Sequence, residues 1–356
     1  MKNIKLFETV SDYTEARGSE YIEPWVSYVR ENEQVDYNKS EYEKLLETPL
    51  TFETTSDGNI VWKLSTNTSD TSNTKTIQYK LNDGDWTSIT STKNGTSISV
   101  VSGDTVQFRG NNDSYHYSSF RGTTCGFKVK GNIMSLINPT NYATMTSFPE
   151  NSEWNFYCLF QSCTGLTDAS ELILPATTLT TKCYTFMFSG CTSLTTALEL
   201  PATTLAEECY HGMFLGCTSL TQAPSILPAT TLANKCYIYM FWKCTGLVNA
   251  PELPATTLAS DCYEYMFSGC TSLTTAPELP ATTLVNYCYY QMFAGCTSLN
   301  YIKCLATNIS ASYCKSNWVN GVASSGTFVK AAGITESTWG RGNNGIPNNW
   351  TVQNAS

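Results

Sequence analysis

The hydrophobic and polar positions of this chain form three successive patterns, and the longest is a repeat in the second half. Each copy starts with CYxxMFxxC, continues through TSLTxAPxL and ends in LPATTL. The second cysteine of each copy marks the period: Cys163, Cys191, Cys217, Cys244, Cys270 and Cys296. Neighbouring copies are 28, 26, 27, 26 and 26 residues apart. A fixed period of this length, with leucines at constant offsets, is typical of a leucine-rich-repeat solenoid.

Each part of the repeat predicts one element. The spacing in CYxxMFxxC predicts a short helix with one apolar face. TSLTxAPxL predicts a strand turn, and Pro and Thr-Thr in LPATTL predict a solvent-facing return loop. We therefore expect an α/β leucine-rich-repeat solenoid of about six units at residues 131–315, with an N-terminal cap at 131–149. Residues 316–356, which contain Trp339 and Trp350, are expected to form the C-terminal cap.

The stretch at residues 48–130 has a different pattern, with seven short β-branched and aromatic runs. These runs are separated by SDG, NDGD, KNG and SGD. Asp-Gly and Asn-Gly steps favour tight hairpins, because a positive φ angle costs little there. We expect an all-β immunoglobulin-like sandwich.

Residues 1–47 form a separate N-terminal segment that is rich in aromatic residues: Tyr21, Trp25, Tyr28 and Tyr37. The segment is too small to bury these side chains by itself. One interpretation is that they pack on the next domain. The other is an attachment arm, a hairpin or extended segment, whose aromatic residues anchor the protein to a partner.

Composition excludes several classes of function. The chain is 41% hydrophobic and only 14% charged, with a net charge of −9. The absence of a Lys/Arg cluster argues against nucleic acid as a partner. No apolar run approaches the ~20 residues that cross a bilayer, and the N-terminus lacks the apolar stretch of a secretory signal. We expect neither membrane insertion nor a signal peptide.

Candidate chemistry is sparse. His116 and His211 are the only histidines and no CxxC pair occurs, so neither a Ser-His-Asp set nor a zinc site is predicted. Most of the 15 cysteines occupy two fixed repeat positions, where we expect buried free thiols. Glutamates recur in one column as an acidic stripe, for which calcium is the alternative to a solvated edge. We expect no catalytic residues, no cofactor and no metal.

The positions that vary inside the fixed repeat give the candidate site. Tyr239, Trp242, Tyr265 and Tyr290 would form an aromatic patch on one helical face. Exposed aromatic side chains with polar tips suit the recognition of proteins or glycans. The alternatives are drift of surface positions and packing against a neighbouring chain, which leaves a homo-oligomer open.

The repeat CYxxMFxxCTSLTxAPxLPATTL resembles the BspA-like leucine-rich-repeat proteins, a family implicated in adhesion and abundant in gut Bacteroidetes. The likeness covers about residues 150–356. It implies a repeat fold and a role in surface binding, and it carries over no catalytic residue.

The first residues, MKNIKLFETVSDYTEA, with YIEPWVSYVRENEQVDYNK and the strand-rich stretch, resemble virion proteins of phages that infect gut Bacteroidetes. This likeness implies a fibre or capsid decoration on the virion surface. Its N-terminal part would contact other virion proteins, and its repeats would contact a host-surface protein or glycan. The alternatives are a bacterial cell-surface adhesin and a non-catalytic carbohydrate-targeting module of a glycan-degrading system.

Overall fold

The computed structural model describes residues 40–64 and 73–355, and the backbone of two short strands before them. The described strands are β1 Ile4–Lys5, β2 Val29–Arg30, β3 Leu50–Thr54, β4 Gly58–Leu64, β5 Thr76–Leu81, β6 Thr87–Thr90, β7 Thr96–Val100, β8 Thr105–Gly110, β9 Ser118–Ser119, β10 Phe127–Asn132, β11 Leu166–Ile173, β12 Tyr301–Cys304, β13 Thr327–Lys330 and β14 Thr351–Asn354. The α-helices are α1 Glu41–Glu47 and α2 Glu336–Trp339, and 3-10 turns lie at Ile133–Leu136 and Tyr142–Thr144.

Little of the N-terminal segment lies in the described part of the chain. β1 pairs with β2 in an antiparallel register. Helix α1 begins at a capping box, in which Ser40 accepts from the Glu43 amide and Glu43 accepts from the Ser40 amide. The proposed anchoring residues Tyr21, Trp25, Tyr28 and Tyr37 lie outside the described residues.

Strands β3 to β10 form the β region between α1 and the repeats. One sheet has the order β11-β10-β3-β8-β5-β6, and a second has the order β7-β4-β9. Trp62 from the second sheet and Phe52 from the first both contact Phe120, with ring centroids 4.9 and 4.7 Å away. β10 pairs in parallel with β11, which belongs to the first repeat. This mixed sheet runs into the repeats, so it differs from the closed, antiparallel immunoglobulin-like sandwich that we expected.

The predicted α/β leucine-rich-repeat solenoid is wrong, because the repeats contain no helix at CYxxMFxxC. The protein is mostly β, with 26% strand and 6% helix. In the described residues, this part of each repeat is a run of consecutive turns, at 155–162, 181–190, 207–216, 234–243, 260–269, 286–295 and 312–321. We call these runs the turn segments. Single parallel bridges join neighbouring repeats at TSLT and also at PATT, where a plain return loop was expected.

Backbone hydrogen bonds explain why a turn segment replaces a helix. Alternate amides bond within the segment, as Met240 does to the Tyr237 carbonyl (3.2 Å). The amides between them bond to the next repeat, as Tyr239 does to the Glu264 carbonyl (2.9 Å). Every second donor of a turn segment therefore needs the neighbouring repeat as its partner. Because unpaired buried amides are costly, stacking of the repeats is obligatory.

Each full turn segment has three residues with left-handed backbone, four positions apart. In the repeat at 234–243 they are Lys235, Tyr239 and Lys243, with φ of 55, 57 and 60°. Equivalent residues of the stacked repeats form three columns, which we call the first, middle and third left-handed columns. The third column is mostly glycine, at Gly190, Gly216, Gly269, Gly295 and Gly321. The first and middle columns carry mainly side chains, although a non-glycine residue there costs about 1–2 kcal/mol.

The interior is built from the constant residues of the repeat. The middle-repeat phenylalanines stack almost parallel along the array, with centroids 5.5 Å apart for Phe188 and Phe214 and 5.7 Å for Phe267 and Phe293. A tyrosine column runs beside them, and its members are at most 2% exposed. Burying each such ring contributes about 1.5–3 kcal/mol.

All fifteen cysteines are buried and free. The second cysteine of a repeat donates its thiol to the phenylalanine carbonyl of the preceding repeat, as Cys217 does to Phe188 and Cys270 does to Phe241 (both 3.1 Å). Burial raises the pKa of Cys217 to about 12, which disfavours the reactive thiolate. The thiols are free as expected, and their hydrogen bonds to backbone oxygens fix the direction of the side chains.

At both ends of the stacked repeats, residues outside the repeats make the hydrogen bonds that a further repeat would make. At the N-terminal end, the amides of Tyr115 and Phe120 donate to carbonyls of the first turn segment. At the C-terminal end, the Asn317 amide donates to Asn344 Oδ1 (2.6 Å), and the Trp318 indole donates to the Gly345 carbonyl (2.8 Å). Pairing of β12, β13 and β14 in parallel extends the array to residue 354.

We predict that Gly295→Ala destabilises the protein by about 1 kcal/mol or more, because alanine is strained at φ 76°. A Cβ there would lie 3.7 Å from Gly269 Cα, so a steric clash adds little. The measurement is the midpoint of urea unfolding.

The matched control is Gly333→Ala, in an exposed turn outside the left-handed region. It should leave the midpoint unchanged or raise it slightly, since alanine restricts the unfolded chain. Equal effects at the two positions would contradict the assigned backbone conformation.

Candidate ligand-binding site

The four aromatic residues that sequence analysis selected lie in one continuous row. Tyr239 stacks on Tyr265 with centroids 4.8 Å apart, and Trp242 meets Tyr239 at 5.5 Å with a 60° angle between the rings. Tyr290 meets Tyr265 edge-on at 5.5 Å. All four are partly exposed. They share a surface as predicted, but that surface is formed by stacked turn segments and not by a helix.

The stacking of equivalent repeat positions determines where these aromatic rings lie. Tyr239 and Tyr265 belong to the middle left-handed column, together with Phe186, Gly212 and Gln291. The left-handed backbone turns these side chains away from the buried tyrosine that precedes them by two positions. Gln291 Nε2 donates to the Tyr265 hydroxyl (2.9 Å), which fixes the ring.

An open cavity of about 280 Å³ lies on this surface. It is lined by Phe186, His211, Leu215, Tyr239, Trp242 and Tyr265. Gly212 shapes it, because a Cβ at that residue would lie 2.3 Å from Phe186 Cε1. The Phe186 ring leans into the space that glycine leaves.

Sequence reasoning missed Phe186, His211 and Leu215 as members of the site. All three stand at the variable positions of the repeat, so the signal was available. They were not selected because only the aromatic residues from 239 to 290 were considered, whereas the stacking of equivalent positions puts these three beside Tyr239 and Trp242. The centroid distance from His211 to Phe186 is 4.7 Å and to Tyr239 is 5.8 Å.

A band of charged residues runs along one side of the row. The first left-handed column alternates in charge over four repeats: Lys182, Glu208, Lys235 and Asp261. Lys182 Nζ lies 3.9 Å from Glu208 Oε2, and His211 Nδ1 lies 3.6 Å from the same oxygen. Burial lowers the pKa of His211, although Glu208 opposes the change.

Two further charged groups border the cavity. Burial raises the pKa of Glu264 to about 7, and the hydrogen bond and charge of Asp261 add to the rise, whereas Lys235 opposes it. Lys243 Nζ lies 4.3 Å from the centroid of the Trp242 ring. Each of the charged groups in this band therefore lies next to an oppositely charged group, another carboxyl or an aromatic ring.

The aromatic row extends beyond the cavity in both directions. Towards the β region, Tyr157 meets Phe186 at 6.3 Å, and Trp154 stacks on His116 at 4.5 Å. Towards the C-terminus, Tyr287 stacks on Tyr313 at 4.9 Å, and Tyr313 is 58% exposed. We call the whole set, from Trp154 to Tyr313, the aromatic row.

The described residues contain no group of three or more His, Cys, Asp or Glu side chains that could hold a metal ion. In the acidic column, Glu199 accepts from the Ser225 amide and hydroxyl, and Glu278 pairs with Lys303 at 2.9 Å. Among the described helices, none has the length and apolar character required to span a bilayer.

Comparisons with known proteins add no relative. No protein-family model matches the chain, and no significant match was found among curated proteins or solved structures. Any function is therefore argued from the residues and the geometry above.

We predict that Glu264→Gln stabilises the protein at pH 8 by about 1 kcal/mol, allowing for solvent around a half-buried carboxyl. The folded-state pKa of about 7 exceeds the ordinary value of 4.5. The contribution of Glu264 to stability is thus complete below pH 4.5 and is lost as the pH rises through 7. A glutamine side chain does not ionise, so the variant does not lose this stability as the pH rises. Urea midpoints at pH 4.5 and 8 measure the difference.

The control is Glu207→Gln, at an exposed residue of the turn segment two repeats earlier. The gain at Glu264 should shrink towards pH 4.5, and Glu207→Gln should change the urea midpoint little, because its side chain is exposed to solvent. A Glu264 variant that is less stable than the wild type at pH 8 would contradict the assigned environment.

Proposed function

We propose that this protein is a non-enzymatic attachment protein of a virion, a fibre or capsid decoration. Its N-terminal part joins other virion proteins, and its repeats carry the aromatic row as the surface that binds the host. The observation that carries the proposal is the aromatic row itself, a continuous line of half-exposed rings on a protein that buries its other repeated rings.

The contrast between the two sets of rings supports a binding role. The interior tyrosines and phenylalanines of the repeats are at most 2% exposed, and they form the core. The rings of the aromatic row stay half-exposed and add less to folding. Exposed aromatic groups of this kind supply much of the binding energy at recognition surfaces.

The backbone supports the same conclusion. Tyr239 and Tyr265 have φ of 57 and 53°, where glycine has no penalty, and Gly212 occupies the equivalent position two repeats before Tyr265. A tyrosine there destabilises the backbone by about 1–2 kcal/mol without completing the core. Strained residues of this kind concentrate at functional sites.

The placement on a virion rests on the likeness of the first residues to virion proteins of phages of gut Bacteroidetes. The adhesin alternative rests on the BspA-like repeat pattern, and it would use the same aromatic row at a bacterial cell surface. We favour the virion because its likeness involves the N-terminal part of the chain, whereas the BspA-like pattern covers only the repeats.

We predict that purified phage particles contain this protein and that their attachment to host cells depends on the aromatic row. The test uses a triple variant, Tyr239→Gly, Trp242→Ser and Tyr265→Gln, which we call the swap variant. Each substitution introduces the residue that another repeat carries at the same position, namely Gly212, Ser268 and Gln291. The variant should enter particles normally and reduce adsorption about tenfold or more, a loss of about 1.4 kcal/mol.

The matched control is Trp86→Ala in the β region, where the ring packs under Arg109 at 4.1 Å and away from the aromatic row. It should adsorb like the wild type. Mass spectrometry of particles measures incorporation. Detection only on uninfected bacterial cells would favour the adhesin, and unchanged adsorption of the swap variant would remove the aromatic row from host binding.

A further inference from the structure

The aromatic row suggests a chemical class of ligand. We infer that it binds a linear, uncharged polysaccharide lengthwise, with successive sugar rings on successive repeats. This inference rests on the proposed function and names the ligand of the same surface. Three independent features of the row support it.

The first feature is periodicity. On the surface, the centroids of Tyr239 and Tyr265 are 4.8 Å apart, and those of Tyr265 and Tyr290 are 5.5 Å apart. From Tyr239 to Tyr290 the aromatic row therefore offers one tyrosine ring per repeat. An extended chain of pyranose rings advances by a similar length per ring, so one polymer can use the same contact repeatedly. A folded protein partner rarely presents such a one-dimensional repeat.

The second feature is the orientation of the rings. Tyr239 and Tyr265 are only 15° from parallel and stack along the repeats, so each ring covers one face of the other and their edges remain partly exposed. Aromatic edges carry partial positive charge, and tyrosine hydroxyls donate and accept hydrogen bonds. Both favour an oxygen-rich ligand over an aliphatic one.

Trp242 differs from the tyrosines in a way that suits one sugar ring. It lies 60° out of the stack and lines the cavity, while Lys243 lies against its ring. The cavity of about 280 Å³ is smaller than a typical pocket for a drug-sized ligand, which begins at about 300 Å³. It can admit one ring of a chain that continues over the neighbouring repeats.

The third feature is local neutrality. Lys182 and His211 both face Glu208, at 3.9 and 3.6 Å. Glu264 shares a hydrogen bond with Asp261, with Lys235 nearby, and Lys243 is held against Trp242. With most charges paired along the aromatic row, an anionic or cationic polymer gains little from binding. An uncharged polymer loses nothing.

The test is calorimetric titration of the full-length protein with linear oligosaccharides, from disaccharide to hexasaccharide, cut from cellulose, mannan, xylan and amylose. For at least one series, the dissociation constant should fall at least about tenfold from the disaccharide to the hexasaccharide, because each added ring meets another repeat. The swap variant should lose this gain, and Trp86→Ala should keep it. Galacturonate oligomers, which are anionic, should bind no more tightly than the uncharged series.

Other outcomes overturn the inference in distinguishable ways. An affinity that does not change with chain length would exclude lengthwise binding. If no series binds while particles still adsorb through the aromatic row, the inference fails and the proposed function stands. If no series binds and the swap variant adsorbs like the wild type, both the inference and the proposed function fail.

Discussion

The hydrogen bonds between repeats are the constraint on which the rest of the structure depends. In each turn segment alternate amides have no partner of their own, and the next repeat supplies one, as the Glu264 carbonyl does for Tyr239. This arrangement fixes the stacking distance, aligns equivalent side chains into columns and requires a cover at each end. Tyr115 and Phe120 provide the cover at one end, and the segment around Asn344 provides it at the other.

The column geometry links the fold to the proposed binding surface. Equivalent residues of the stacked repeats lie one behind the other. Any repeat position whose side chain faces outward therefore forms a row along the surface, and the chemistry of that row depends on which residue each repeat carries there. At the middle left-handed column several repeats carry aromatic residues, and beside it the first column alternates in charge. The cavity then arises from one local exception, Gly212, over which Phe186 leans. The surface is thus assembled one repeat at a time on a rigid backbone.

Part of the fold and of the candidate site could be predicted from the sequence. The repeat and its period were visible in the cysteine spacing, and each strand-like run between residues 48 and 130 contains a strand. The helix was predicted wrongly because CYxxMFxxC was compared with a 3.6-residue period. Its apolar pairs are spaced by four: Cys183 with Tyr184, then Met187 with Phe188, then Cys191. Over eight residues a helix would rotate the last position by about 80° from the first, so a period of four indicates stacked turns.

The left-handed positions were harder to infer from the sequence. Only the third column is mostly glycine, whereas Lys235 and Tyr239 adopt the same backbone without any signal in their side chains. The neighbours of the aromatic residues were also missed. The cavity depends on Phe186, His211 and Leu215, which belong to the two repeats before Tyr239 and reach it through the stacking of the repeats. The pairing of Asp261 with Glu264 likewise depends on their positions three residues apart in one turn segment.

Amide hydrogen exchange, followed residue by residue by NMR, tests the hydrogen-bonded stack most directly. The account predicts that Tyr239 and Tyr265, which lie partly exposed on the surface, exchange as slowly as the buried Met240, because each donates to the next repeat at 2.9 Å. Their Cα chemical shifts should also indicate left-handed backbone. Rapid exchange at Tyr239 and Tyr265 beside a protected Met240, or helical shifts through residues 234–243, would contradict it.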